Sequence, residues 1–350
     1  MKEQKKSLKE ISWQVTEPEY RQDPALSYST LAKYERGGGF NSLPTLFDKV
    51  SSPSLTFGSI VDTLLLGTKE EFKERFSVIE LPELSDSLRE IADHLFEDYK
   101  TTKFADIPDS VLSEYGVKHA YYASSKYEKY RVKMIRENCE KYFVTKQLTQ
   151  DKEIISQQDY EDAKRCADIL RTKQGLSQYF NPNPFGDFEV LFQLKFKGEH
   201  NGVPYRSMMD IVVVDHKNKI IYPVDLKTSS HMEWEFFKSF VEWRYDIQAM
   251  LYYRNLKQTI EKDDYFKDFK IAEYRFIVIN RKTLKPLIWK FPFTASEVGW
   301  EYTKPSGFKA TFRDPYVIGE ELWNYLRHPS EIPADIKEIN SNDIVEFLKK

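Results

Sequence analysis

Two aspartates and a lysine carry the most definite chemistry in this chain. Asp210 is followed downstream by Val224-Asp225-Leu226-Lys227. On a strand, residues i and i+2 share a face, so Asp225 and Lys227 point the same way. Between the aspartates, Asp215-His216-Lys217-Asn218-Lys219 reads as a turn. If residues 216–219 form the loop and Asp215 pairs with Ile220, antiparallel counting sets Asp210 opposite Asp225. Cross-strand neighbours lie about 4.5–5.5 Å apart, and like charges so placed are unfavourable unless a cation sits between them. Met209, residues 211–214, Val224 and Leu226 are apolar on both faces of the hairpin. The charges are therefore expected to be part-buried, and isolated buried charge is costly. Hard oxygen donors favour Mg²⁺, with Mn²⁺ as a substitute. Such an ion lowers the pKa of a bound water and neutralises charge on a phosphate. Lys227 can then orient the attacking water or stabilise developing negative charge. The plainer alternative is an exposed ion pair on an ordinary hairpin. Pro223 complicates the count, because a residue that cannot donate to a ladder implies an edge position or a bulge.

The surrounding elements must hold these groups in place. Phe188, Val190, Phe192, Leu194 and Phe196 alternate with Glu189, Gln193 and Lys195, which is strand periodicity. Gly198 and Gly202-Val203-Pro204 mark a turn over residues 198–204. Strands are expected over 208–214 and 220–227, then a long helix over about 233–256, then strands near 272–280 and 285–291. A helix over 316–327 and a further short helix within 329–350 follow. Upstream, Ser27-Tyr28-Ser29-Thr30-Leu31 looks like a capped helix start, and residues 55–66 like a short buried helix. Residues 84–173 read mainly as helix, broken at Asp106-Ile107-Pro108, and Ser156 opens a capped helix reaching about residue 172. The expected fold class is α/β (α+β), a central mixed sheet flanked by helices. Three parts are expected: a mainly helical stretch at 1–180, a core at 181–300 and a helical extension at 301–350.

Composition limits the function classes. The chain has 52 basic and 55 acidic residues among 350, a formal net charge of −3. A basic coat is absent, so any nucleic-acid-binding surface is local. Lys126, Lys129, Lys133 and Arg136 fall on one helical stripe, which is either phosphate-contacting or simply solvated. The charged start, Met1 to Lys6, is followed by no apolar stretch, so a secretory signal is not expected, and no apolar run approaches the roughly 18 residues of a membrane span. Cys139 and Cys166 are the two cysteines. They cannot make a four-cysteine cluster site, and they suit a reducing compartment, so a soluble cytoplasmic protein is expected. The six histidines have no metal-pair spacing. There is no Walker A loop, no Gly-x-Gly-x-x-Gly after a strand and no Gly-x-Ser-x-Gly.

With Asp210 and the Asp225-x-Lys227 pair set between strands, the chain resembles the PD-(D/E)xK nuclease superfamily. Further pieces are similar to its RecB/RecE-like phage exonuclease branch, of the exodeoxyribonuclease VIII type. Phe57-Gly58-Ser59-Ile60-Val61-Asp62 resembles that branch's Gly-x-x-x-His helix. The stretch from Ser156 to Ala163 resembles the helix before its first core strand, and Gln248-Ala249-Met250-Leu251-Tyr252 its Gln-x-x-x-Tyr motif. The resemblance covers roughly residues 25–256. It implies a restriction-endonuclease-like core, with Asp210, Asp225 and the Leu226 carbonyl as metal ligands and Lys227 as the catalytic lysine. Glu189 would match an acidic residue that some members carry on the first core strand. Gln248 and Tyr252 would contact DNA or support the site. Asp62 stands where the branch usually has His. It is either a hard-oxygen ligand or a carboxylate in a first helical turn, favoured by the macrodipole. The implied activity is Mg²⁺-dependent hydrolysis of duplex DNA from its ends, 5′ to 3′, in phage-type recombination. Implied partners are DNA, a single-strand annealing protein and further copies of the chain in a ring. An endonuclease on the same core and an inactive DNA-binding module are the rival readings.

Overall fold

The computed structural model describes residues 5–48, 52–149, 152–181, 187–291, 300–303 and 309–328. Two compact units divide the chain: residues 1–66 with 165–350, and residues 67–164.

The first unit is built on a six-stranded mixed sheet: β1 (Phe188–His200), β2 (Val203–Asp215), β3 (Ile220–Ser229), β4 (Lys270–Ile271), β5 (Tyr274–Asn280) and β6 (Pro286–Phe291). The strand order is β1-β2-β3-β5-β6, with β4 beside the start of β3. β3 is antiparallel to β2 and parallel to β5. The expected turn at 198–204 is much narrower. Asn201 and Gly202, both at positive φ (50° and 77°), make a two-residue hairpin, and Pro204 already sits in β2 opposite Glu199.

The β2–β3 register is the counted one: Asp215 pairs with Ile220, and the ladder runs to Ile211 and Val224. Pro223 lies opposite Val212 without a bulge, in a central strand. Its missing N–H explains how. The carbonyls of Lys219 and Ile221 accept bonds from Lys270 and Ala272, so odd-numbered residues of β3 direct their backbone groups away from β2. Pro223 therefore faces the gap where β4 has ended and β5, beginning with Val224 against Arg275, has not started. No ladder bond is lost there. Ile211, Val212, Val214, Ile221 and Val224 are fully buried, so the central strands are covered on both faces.

Helices flank this sheet. α1 (Tyr28–Arg36) starts at Ser27, whose hydroxyl accepts the Thr30 N–H. α2 (Pro53–Leu66) buries Phe57, Ile60, Val61 and Leu65. The single helix expected over 233–256 is two. α3 (Phe236–Glu242) and α4 (Tyr245–Ile260) are separated at Trp243-Arg244, where Arg244 is left-handed at φ 55°. A non-glycine residue held there needs compensation. The Arg244 guanidinium supplies it, pairing with Asp246 through two 3.0 Å bonds and with Glu35 at 3.1 Å. α5 (Pro315–Arg327) is capped by Asp314, which bonds the Tyr316 N–H at 2.8 Å and takes a two-pronged ion pair from Arg254. The expected helix within 329–350 lies outside the described residues.

The second unit is mainly helical. Helices Asp86–Tyr99, Asp109–Lys118 and Glu128–Leu148 enclose a core that includes Ile91, Leu95, Phe104, Leu112, Ile135 and Phe143. The break at 106–108 is present, with Pro108 standing just before the second of these helices. Ser156 caps helix Gln157–Thr172, of which residues 165–172 belong to the first unit, by accepting the Asp159 N–H at 3.0 Å.

Candidate active site

The site lies where β2 and β3 part. Their recorded pairing ends at Ile211 and Val224, one step before Asp210 and Asp225. On the other side of β2, Gln193 stands opposite Asp210 in a left-handed conformation, and no pairing is recorded between the two. Asp210 thus sits at an interruption in both neighbouring ladders. Its Oδ2 accepts the Leu226 N–H at 2.9 Å. Within a strand, the N–H and C=O of one residue point to the same side. The Leu226 carbonyl is therefore directed toward the same opening as its N–H.

Asp225 is only 1% exposed. It forms an ion pair with Lys227, whose side chain is 18% exposed, and accepts a hydrogen bond from Gln248 Nε2 on its other oxygen. Gln248, three residues after Tyr245 at the start of α4, owes its position to the Arg244 break, which sets where the helix begins. Asp210 and Lys227 are part-exposed, so solvent reaches the cluster over a buried Asp225.

The electrostatics follow from this crowding. Burial, then the charges of Asp225 and Asp62, push the Asp210 carboxyl well above the ordinary aspartate range, against the pull of Lys227 and the Leu226 N–H. Burial disfavours the Lys227 ammonium. The charge of Asp225, with smaller contributions from Tyr245 and Asp210, outweighs that and holds its pKa well above that of an ordinary lysine. Lys227 is therefore a fixed cation.

The other expected site residues divide. Asp62 is brought to the cluster. α2 crosses β3 closely at Gly58, where a Cβ would come within 3.3 Å of Thr228 Oγ1. Residues 58 and 62 share a helix face, and Asp62 acts electrostatically on Asp210. It lies more than two turns inside a helix beginning at Pro53, so a first-turn macrodipole effect does not account for it. Tyr252 is buried in the core beside Tyr274 and within electrostatic reach of both aspartates. Gln248 is likewise buried, at 4% exposure, and its described hydrogen bond goes to Asp225. Glu189 is not brought to the cluster. It pairs along β1 with Val214, four residues along β2 from Asp210, and is taken up by Ser7 Oγ, by the Leu8 N–H at 3.4 Å and by His216 at 3.3 Å.

Three neighbours were not among the residues singled out from sequence. Lys227 Nζ lies 4.9 Å from the Tyr245 ring centroid. Tyr28 packs beside Tyr245 at 6.3 Å, with its hydroxyl bonded to the Trp243 carbonyl at 2.8 Å. Arg36 stacks over Trp243 at 4.0 Å and acts electrostatically on both tyrosines. Tyr245 had a signal, since it precedes Gln248 and Tyr252 on one helical stripe at i, i+3 and i+7. Tyr28 and Arg36 had none.

A divalent cation fits these residues. Asp225 Oδ2 is buried without a hydrogen bond apart from its ion pair, and Asp210 carries repulsion that a cation would relieve. The donors are hard oxygens. Among the described residues no group of three or more His, Cys, Asp or Glu side chains converges as a metal cage. Mg²⁺ is commonly held by one or two carboxylates with several waters retained, so two carboxylates and a carbonyl suffice.

A mixed sheet flanked by helices, with an Asp and an Asp-x-Lys at the parting of two strands, is the restriction-endonuclease-like fold of the PD-(D/E)xK superfamily. A model for a PDDEXK-like domain of unknown function (DUF3799) matches residues 40–283, and the chain belongs to that family. A PDDEXK-like domain suggests nuclease activity. No curated protein matches the sequence. No helix among the described residues is long and apolar enough to cross a membrane.

Proposed function

We propose that this protein is a Mg²⁺-dependent DNA exonuclease. The observation that carries the nuclease reading is the buried Asp225–Lys227 pair beside Asp210 at the opening between β2 and β3. Asp210, Asp225 and the Leu226 carbonyl would hold the cation, with Asp62, whose charge acts on Asp210, as a further ligand. When bound, the cation lowers the pKa of a water and offsets charge on the scissile phosphate. Gln248 fixes the Asp225 carboxylate through one oxygen, so that the other, paired with Lys227, keeps one orientation. Lys227, held as an ammonium, attracts the phosphate and stabilises the negative charge that develops as water adds to phosphorus and the P–O bond breaks. The Tyr28–Tyr245 wall limits where Lys227 can swing.

Action from duplex ends, 5′ to 3′ polarity, a role in phage-type recombination beside a single-strand annealing protein, and assembly into a ring all rest on the resemblance to the RecB/RecE-like branch. The test compares linear with covalently closed circular duplex in Mg²⁺. Release of nucleotides from the linear form alone is expected, and cutting of the closed circle overturns the exonuclease reading. Activity that persists in Asp225→Ala overturns the site.

A further inference from the structure

The second unit carries an exposed aromatic face that the nuclease site does not use. Tyr122 meets Tyr121, Tyr127 and Tyr130 edge-on, with ring centroids at 4.9, 5.8 and 5.0 Å. Tyr122, Tyr127 and Tyr130 are 43%, 41% and 46% exposed, high values for such large side chains. The backbone is also unusual, with Ala120 and Tyr122 at φ 54° and 45°. Bulky side chains rarely adopt that conformation, and it persists only where neighbours enforce it.

Arg131 enforces it here. The side chain is buried, at 3% exposure. One guanidinium nitrogen donates to the Tyr122 and Ser124 carbonyls, and the other donates to Ser113 Oγ at 2.5 Å. Gly116 admits the arginine, because a Cβ there would fall 2.4 Å from Arg131 Cδ. A buried cation and a glycine thus hold a strained turn whose product is an outward tyrosine.

Lysines surround these rings. Lys126 Nζ lies 4.7 Å from the Tyr127 ring centroid. Lys129, Tyr130 and Lys133 follow on one face of helix Glu128–Leu148. Lys133 has an exposed pair with Glu137 at 3.8 Å, which a stronger partner displaces at little cost. Exposed rings offer stacking to unpaired bases, and the ammonium groups offer contacts to the phosphates between them. A duplex presents no free base faces, so this combination matches a single strand.

We propose that the Tyr122–Tyr127–Tyr130 face with Lys126, Lys129 and Lys133 binds single-stranded nucleic acid without sequence preference. The inference is independent of the metal site. Its test uses the full chain with Asp225→Asn to suppress any turnover, and a fluorescent oligothymidylate as the probe. Tyr127→Ala/Tyr130→Ala should weaken binding by about tenfold or more, with little change for a blunt duplex, and Tyr127→Phe/Tyr130→Phe should retain it. Lys126→Ala/Lys129→Ala/Lys133→Ala should flatten the slope of log affinity against log salt by about 2. Unchanged affinity in the tyrosine variant together with an unchanged salt slope overturns the proposal. So does a tyrosine variant that alters self-association in sedimentation but not oligonucleotide binding, which would make this a protein–protein face. Should the alanine pair fail to fold, the lysine variant, which removes only exposed charge, decides alone through its slope. Loss of nuclease activity in Asp225→Ala reports on the other site and leaves this result untouched.

Discussion

Replacing Asp210 with Asn should make the metal-free protein more stable while abolishing its activity. Asp210 is held against its own preference, by burial first and then by the charges of Asp225 and Asp62. In the β2–β3 register Asp210 and Asp225 occupy the next cross-strand position after the last recorded pair. At an effective dielectric near 20, two unit charges at a typical cross-strand separation of about 5 Å repel by about 3 kcal/mol. Lys227 cancels part of this, leaving a net relief of about 1–2 kcal/mol when Asp210 loses its charge. Asn keeps an oxygen for the Leu226 N–H, so the 2.9 Å bond survives. The expected rise in Tm without divalent metal is about 1–4 °C. The sign with pH follows. A carboxyl raised on folding binds its proton more tightly in the folded state, so the wild type loses stability as pH climbs from the ordinary aspartate range to the raised folded value. The gap between variant and wild type should therefore be small in acid and widen toward neutrality. Mg²⁺ should reverse the order: a cation at a hundredfold excess over its dissociation constant adds about 2.7 kcal/mol to the wild type, and little to the variant. Scanning calorimetry with EDTA and with Mg²⁺, beside a nucleotide-release assay, reads all three effects. A variant that is less stable in EDTA, or that keeps wild-type activity, refutes the reasoning.

Other substitutions probe the supports. Gln248→Ala leaves the buried Asp225 oxygen unpaired and should cost about 1–3 kcal/mol in urea unfolding, with a lower kcat. Gly58→Ala places a methyl against Thr228 Oγ1 and should slow turnover by moving α2 and Asp62. Thr228→Ala, which removes the clash, should restore the rate in the double variant, and a double variant as slow as Gly58→Ala would discount this contact. Arg244→Ala removes the two-pronged ion pair to buried Asp246 and the support for a left-handed residue, while Glu35 keeps Arg313, so a loss of about 3–5 kcal/mol is expected, measured by the denaturation midpoint. Arg36→Ala should raise KM with kcat preserved, because the guanidinium on Trp243 faces solvent beside the Lys227 wall, and a drop in kcat at constant KM would contradict that placement.

The chain by itself determined the hairpin that carries the site. A four-residue loop and strand parity fix the β2–β3 register, because side chains alternate with period two and a one-residue slip would turn every apolar residue of 211–214 to the wrong neighbour. The same parity set Asp225 and Lys227 on one face, and the spacing of Gln248 and Tyr252 on one stripe was equally local. Tertiary structure decided what depends on partners distant in sequence. Pro223 looked disruptive until the gap between β4 and β5 showed that its missing N–H faces no acceptor. Glu189 was drawn away by Ser7, Leu8 and His216, contacts that strand alternation cannot foresee. The break at Arg244 could not be read from apolar periodicity, which continues through it; the turn is held by ion pairs to Asp246 and to Glu35 on α1 and by the Tyr28 hydroxyl on the Trp243 carbonyl. Asp62 reached Asp210 because Gly58 lets α2 lie close on β3, and the tyrosine wall around Lys227 joins residues 28 and 245. Periodicity reports which way a side chain faces, and the fold supplies what it meets there.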